Sequence, residues 1–144
     1  MAKVVSERVT IQSRRGMELI NITDLVREKA EGSGVREGLL NVFSLHTTAG
    51  LMINEAEEGL ERDVLQALED LIPEDRDYHH HHFHYKDGRM AVNAWAHLRS
   101  ILLGPSLTIP VKDGKPMLGA RENVYFVEMD GPKERSLVVQ VIGV

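Results

Sequence analysis

The sequence predicts a single α+β domain with mostly antiparallel β-sheet layers and two to three helices, and three observations carry that expectation. A long segment places Ala56, Leu60, Val64, Ala67, Leu68 and Leu71 on one stripe of a helix. Three later segments alternate apolar and polar residues with period two and are separated by glycine-containing turns, the pattern of antiparallel neighbours. The chain has 144 residues, 42% of them apolar and 27% charged, which suits one folded unit with one core.

The elements follow in order. Val5, Val9 and Ile11 share a parity and Arg14-Arg15-Gly16 interrupts them, so an opening strand is expected from Val4 to Ile11. Asn21 to Ala30 carries Ile22, Leu25, Val26 and Lys29 at helical spacing. Thr23 or Asp24 can cap this helix and Gly32-Ser33-Gly34 can end it. Glu37 to Thr48 has Leu39, Phe43 and Leu45 on one parity and Leu40, Val42, Ser44 and His46 on the other. This predicts a central strand largely buried on both faces, with His46 at its exit pointing as Val42 and Ser44 do.

Asn54 is placed to cap the long helix, Glu57 to reach back, and Pro73 to stop it. A further helix is expected from Asn93 through Ala94, Trp95, Leu98, Ile101 and Leu102 until Gly104-Pro105. Ser106 to Val111, Val124 to Met129 and Ser136 to Ile142 read as strands of an antiparallel sheet. No repeat, linker or low-complexity tract apart from the histidines divides the chain, so residues 1–144 are expected to form one domain.

Composition narrows the functions. There is no cysteine, so disulfides and thiolate-bound zinc are excluded, and a metal would rest on His, Asp, Glu, Asn or water. A formal charge of −5 argues against a nucleic-acid surface, although a local basic pocket could hold a small phosphorylated ligand. Charge precedes any apolar run near Met1, and no apolar run approaches the roughly 20 residues a membrane span needs. A cytoplasmic protein that does not enter the membrane is expected.

Seven histidines are present, and Tyr78-His79-His80-His81-His82-Phe83-His84-Tyr85 holds five of them. In an extended segment His80, His82 and His84 would share one face and could offer imidazole ligands; the alternative is a solvated histidine-rich loop. His46 is followed by Thr47-Thr48-Ala49-Gly50, a polar turn where side chains and amides can converge on a ligand. Asn54-Glu55 is expected to open a helix whose unpaired amides favour anions. Asp63 borders the apolar stripe and His97 lies beside the buried face of the later helix, so each is expected to have a polar partner.

Several of these residues recur in a longer ordered set. The set runs from His46-Thr47-Thr48-Ala49-Gly50-Leu51-Met52-Ile53-Asn54-Glu55 through Asp63, Tyr78-x-His80 and Asn93-Ala94-x-Ala96-His97-Leu98. It continues with Leu103-Gly104-Pro105-Ser106, Leu118-Gly119 and Glu128-x-Asp130-Gly131-Pro132. In this the chain resembles the YjbQ family, some of whose members are named secondary thiamine-phosphate synthases. The resemblance implies a small YjbQ-like α+β domain, assembly as a homotrimer, and a shared cleft lined by polar motif residues. It supports His46, Asn54, Glu55, Asp63, His80 and His97 as site residues. Two departures stand out. Trp95 occupies a position where many relatives carry a histidine or an acid, and Ala120-Arg121-Glu122 stands where relatives typically have Thr-Trp-Gln.

The resemblance implies a transferase that joins a pyrimidine-methyl diphosphate to a thiazole phosphate, with His46, Asn54, Glu55, Asp63 and His97 as the catalytic candidates. Thr47, Thr48 and Arg121 are the ligand-contacting candidates, and Arg99, Lys133 and Arg135 are further cations for phosphate. The residues also allow a hydrolase or lyase in which His46, His80 and His97 hold a divalent metal, Zn²⁺ or Mg²⁺, and Glu55 or Asp63 acts on its bound water. A third reading is a trimeric module that binds a small ligand or metal without turning it over.

Overall fold

Two antiparallel sheets and three α-helices make up the protein, in a computed structural model that describes residues 1–144. The elements are β1 (Lys3–Gln12), β2 (Glu18–Asn21), α1 (Thr23–Ser33), β3 (Glu37–Ser44), β4 (Ala49–Glu55), α2 (Glu58–Leu71), α3 (Ala94–Leu103), β5 (Ser106–Lys112), β6 (Lys115–Pro116), β7 (Glu122–Glu128) and β8 (Glu134–Gly143), with a 3₁₀ turn at His79–His82. The larger sheet has the order β1-β8-β3-β5-β6 and the smaller β2-β7-β4. No helix is long and apolar enough to cross a membrane.

Strand parity explains the layers. In β7, Val124 and Phe126 join Leu51 of β4 in a core shared with Leu40 and Val42 of β3, Ile109 and Val111 of β5, and Leu137, Val139 and Val141 of β8. The intervening Tyr125 and Val127 face the other way, where Leu68 of α2 and Ala96 of α3 cover them. The small sheet is therefore the middle layer, buried on both faces, which is why β7 reads as a continuous apolar run. Val26 and Ala30 of α1 also enter the first core.

The opening strand, the three later strands and the two flanking helices form where expected, each within a few residues. Other expectations need correction. β3 is buried on one face only: Leu40, Val42 and Ser44 are enclosed, whereas Leu39 and Phe43 are 49% and 42% exposed on the outer side of the large sheet. β3 also ends at Ser44, before His46, and the short strands β2 and β6 were not anticipated.

The long helix begins later than its stripe suggests. Asn54 and Glu55 lie in β4, paired with Asn123 and Glu122 of β7, because Leu51 and Ile53 can pack on one side of that strand and Met52 on the other. The cap is Glu57, whose carboxylate accepts the amides of Gly59 and Leu60, while Asn54 only accepts the adjacent Glu55 amide. Glu57→Ala is accordingly expected to lower stability by about 1 kcal/mol. Asn54→Ala should stay within about 0.5 kcal/mol. Urea midpoints that reverse this order would return the cap to Asn54.

One close approach positions the site. A Cβ on Gly50 would stand 2.9 Å from Cβ of Leu103, so the bare glycine lets the end of α3 lie against β4. The Leu51 amide then donates to the carbonyl of Gly104 at 3.0 Å. This contact sets α3, and with it His97, over the turn that carries His46 and Thr47.

Candidate functional site

The turn between β3 and β4 and the face of α3 enclose a cleft of about 310 Å³ lined by His46, Thr47, Ala49, His97, Ser100 and neighbouring residues. His97 also borders an adjoining cleft of about 380 Å³ with Tyr78, His79, His80, Ala94 and Leu98. The rings of His80 and His97 meet edge to face, 4.9 Å apart. The structure thus brings His46 and His97 to one cleft and His80 to the adjoining one, across the ring of His97.

His46 is held from β8. Its Nε2 accepts the Ser136 amide at 2.8 Å, and its own amide donates to Ser44 Oγ at 3.3 Å. Burial holds its pKa below the usual histidine value, helped by the charge of Arg135 and further by Arg8 and Lys133, against the opposing pull of Glu128. His97 is lowered first by burial and then by His80, while Asp130 and the Thr47 carbonyl pull the other way. Both rings are therefore biased toward the neutral form at neutral pH.

Behind the turn lies a buried ion pair. Arg135 Nε donates to Glu128 Oε1 at 2.8 Å, and Arg135 Nη2 bonds Glu128 Oε2 as well as Thr48 O and Oγ1 at 3.1 and 2.8 Å. Glu128 also accepts Ser13 Oγ at 2.6 Å and the Asp130 amide at 3.0 Å. Burial alone would push the Glu128 carboxyl up, but hydrogen bonds from Arg135, Ser13 and Asp130, with the charge of Arg135, bring it below the usual carboxylate range. Thr48 is thus a buried anchor for this network, whereas Thr47 is exposed and faces the cleft.

Asp130 accepts Asn93 Nδ2 and Lys133 Nζ, both at 2.9 Å. Arg8 Nη2 reaches Ser136 Oγ at 3.4 Å. Although the whole chain is acidic, Arg8 therefore places positive charge beside His46, while the charge of Lys133 is offset by Asp130.

The histidine run is not extended. Its 3₁₀ turn separates the alternate members: His80 packs on His97, His81 lies edge-on to Tyr78 and Trp95, and His82 pairs with Asp77 at 2.6 Å. His81 Nε2 accepts the Ala94 amide at 3.1 Å and so caps α3 in place of Asn93, whose side chain is drawn to Asp130. Trp95 serves as the wall for His81.

The carboxylate candidates lie elsewhere within the chain. Asn54, Glu55 and Arg121 are exposed at the end of the small sheet where Glu55 faces Glu122, whereas the His46 turn lies at the end where Ala49 faces Glu128. The length of β4 separates those ends by roughly 20 Å. Asp63 is exposed without a partner, because the inward side of α2 is centred on Val64 and Leu68. The acid of α2 that reaches the sheet is Glu61, which accepts Tyr125 Oη at 2.6 Å. Arg99 is not available for phosphate: it is buried, with Nε and Nη2 on the Ile72 carbonyl at 3.0 and 2.7 Å.

A metal held by His46, His80 and His97 finds little support in this arrangement. No group of three or more His, Asp or Glu side chains is placed to hold a metal ion. Nε2 of His46 is already engaged by the Ser136 amide, and Nε2 of His80 is enclosed without a hydrogen-bond partner.

Comparison with known proteins adds a common frame. Residues 7–144 match the model of a family described as UPF0047 protein YjbQ-like. A UPF0047 protein of Methanothermobacter thermautotrophicus is 40% identical over 141 residues, 98% of this chain and 94% of that protein. One from Archaeoglobus fulgidus is 39% identical over 134 residues, 93% of this chain and 98% of its own. The crystal structure of a protein from Sulfolobus solfataricus P2, described as YbjQ-like and of unknown function, superposes with a TM-score of 0.93 at 33% identity and covers 100% of both chains. A hypothetical protein from Aeropyrum pernix K1 gives 0.89 at 33% identity, over 97% of this chain and 99% of that one.

Proposed function

We propose, for a chain that belongs to the UPF0047 YjbQ-like family, that the cleft between His46 and His97 binds a small phosphorylated metabolite and supports transfer chemistry of the thiamine-phosphate synthase type. The observation that carries this reading is the cleft shared by two imidazoles kept toward neutrality, with the charge of Arg8 beside His46. Neutral imidazoles and cations together suit phosphate oxygens better than they suit a cationic substrate.

The reaction balances without a base. The ring nitrogen of a thiazole phosphate gives its lone pair to the methylene carbon of a pyrimidine-methyl diphosphate. The carbon–oxygen bond breaks, and its electron pair leaves on diphosphate. No proton is released, so the task left to the protein is to hold the two rings in line and stabilise the leaving oxygens. Mg²⁺ carried by the diphosphate would neutralise part of that charge.

The family resemblance also leads us to propose a homotrimer. Val4, Leu39, Phe43 and Ile142 leave apolar surface on the large sheet, and Leu98, Ile101 and Leu102 do so beside the cleft. In such an assembly the Asn54, Glu55 and Arg121 end of one copy could complete the histidine end of another. Purified protein supplied with both precursors and Mg²⁺ is expected to form thiamine phosphate and to sediment as a trimer. A yield no higher than that of His97→Ala would end the synthase reading. The distance of every candidate carboxylate from the cleft within one chain favours a binding module as the second reading, and retained phosphate binding without turnover would select it.

A further inference from the structure

The hydrogen bond from Ser136 to His46 decides more than the position of a ring. A nitrogen that accepts an N–H bond carries no proton, so neutral His46 must hold its proton on Nδ1. Nδ1 has no protein partner and is not among the enclosed unpaired atoms, and the ring lines the cleft. The ring therefore has one face of its chemistry committed to the protein and the other open to a ligand.

The donor cannot easily turn away. Ser136 sits in β8 opposite Thr10 of β1, and its carbonyl accepts the Leu45 amide at 3.3 Å. The preceding residue, Arg135, is locked to Glu128 and to Thr48, two residues beyond His46. Metal coordination through Nδ1 would require the ring proton on Nε2, where it would meet the Ser136 N–H head on. Proton uptake at Nε2, as a general base would need, meets the same obstacle.

We propose that His46 works as a hydrogen-bond donor, its Nδ1–H directed to an oxyanion of the ligand and its tautomer fixed by the Ser136 amide, with Arg135 and Glu128 as the positioning pair behind it. This deepens the phosphorylated-ligand reading above and rests on it. In the transfer step the proton stays on Nδ1 throughout. Only its hydrogen bond strengthens as the leaving oxygen gains charge, which matches a reaction that needs no base. His46 is then neither a metal ligand nor the proton acceptor.

The test is a two-bond ¹H–¹⁵N spectrum of the full chain at pH 7, with ¹⁵N-labelled histidine and His46 assigned by its loss in His46→Asn. The expected pattern has the proton on Nδ1 and an unprotonated Nε2. A proton on Nε2, or a doubly protonated ring, overturns the proposal. Equimolar Zn²⁺ should leave the His46 signals in place, and a metal-bound Nδ1 signal also overturns it. Inorganic phosphate should shift the Nδ1 resonance saturably, and absence of that shift would remove the anion-donor role. If the shift is present but the precursors yield no thiamine phosphate, only the synthase reading fails. Arg135→Lys keeps the charge but loses the forked contacts, and it should give mixed tautomers in a folded protein. An unchanged spectrum would take Arg135 out of the positioning role.

Discussion

Glu128→Ala and Arg135→Ala are each expected to lower the stability of the folded chain by about 3–5 kcal/mol, because either change strands a buried charge. Glu128 accepts bonds from Ser13 and the Asp130 amide in addition to its ion pair with Arg135, so its loss leaves all three without their acceptor. Replacing both members by apolar residues of similar size should be far milder than either single change. Urea unfolding of the two single variants and the double variant gives the cycle directly. Losses near those of an exposed pair, about 0–1 kcal/mol, would show that water reaches the site.

The pH dependence has a definite sign. The Glu128 pKa is depressed in the folded chain, so its contribution is present above the unfolded value and is lost as pH falls through the folded value. Wild-type stability should therefore decline on the acid side of the ordinary glutamate range. The Glu128→Gln variant should be less stable at neutral pH but show a flatter acid limb.

His97→Ala is expected to lower thiamine-phosphate formation by roughly a hundredfold or more, with little change in the unfolding midpoint. The ring sits between the two clefts, packs on His80 and faces the Thr47 carbonyl, so its removal merges the clefts and deletes a polar wall. Burial and His80 keep its pKa below the usual value. If the neutral ring is the competent form, activity should persist to a pH below the free-histidine value of about 6.5 and then fall. An acid limb centred above that value, or an unfolded His97→Ala protein, would make His97 a structural residue.

Much of the scaffold was legible because burial imposes period. The alternation of Leu137, Val139 and Val141 has one dominant spacing and formed as expected, whereas of the α2 stripe Val64 and Leu68 turn inward while Ala56 precedes the helix and Ala67 and Leu71 are exposed. β4 was hidden because Leu51-Met52-Ile53 is a short apolar run that fits either a strand or the lead-in to a helix, and Asn54 imitates a cap. β2, only four residues long, runs almost directly into α1 and lacks room to show its alternation.

The site was legible in part. His46 and His97 were found because each lies at the margin of an apolar pattern, but Asn54 and Glu55 were placed by a helix start that the chain does not use, and Asp63 by a stripe border that turns out to face outward. Glu128 and Arg135 carried a readable signal that position-by-position reasoning passed over. Each sits on the inward parity of its strand, after Phe126 and before Leu137, and together they supply one acid and one base. The 3₁₀ turn of the histidine run had no such marker, since five imidazoles in six positions fit several backbones equally well.

The pairing of β1 with β8 has a consequence for how the molecule is made. Lys3–Gln12 finds its register only against Glu134–Gly143, and the latter strand also separates the former from β3. A growing polypeptide on the ribosome must keep its earliest strand waiting until nearly the last one emerges, the long-range closure that slows β-rich folding. Ser136 arrives with that late strand, so the imidazole of His46 gains its locking amide only once β8 has paired. Competence for ligand would then wait on β8, and forms cut before that strand would lack it.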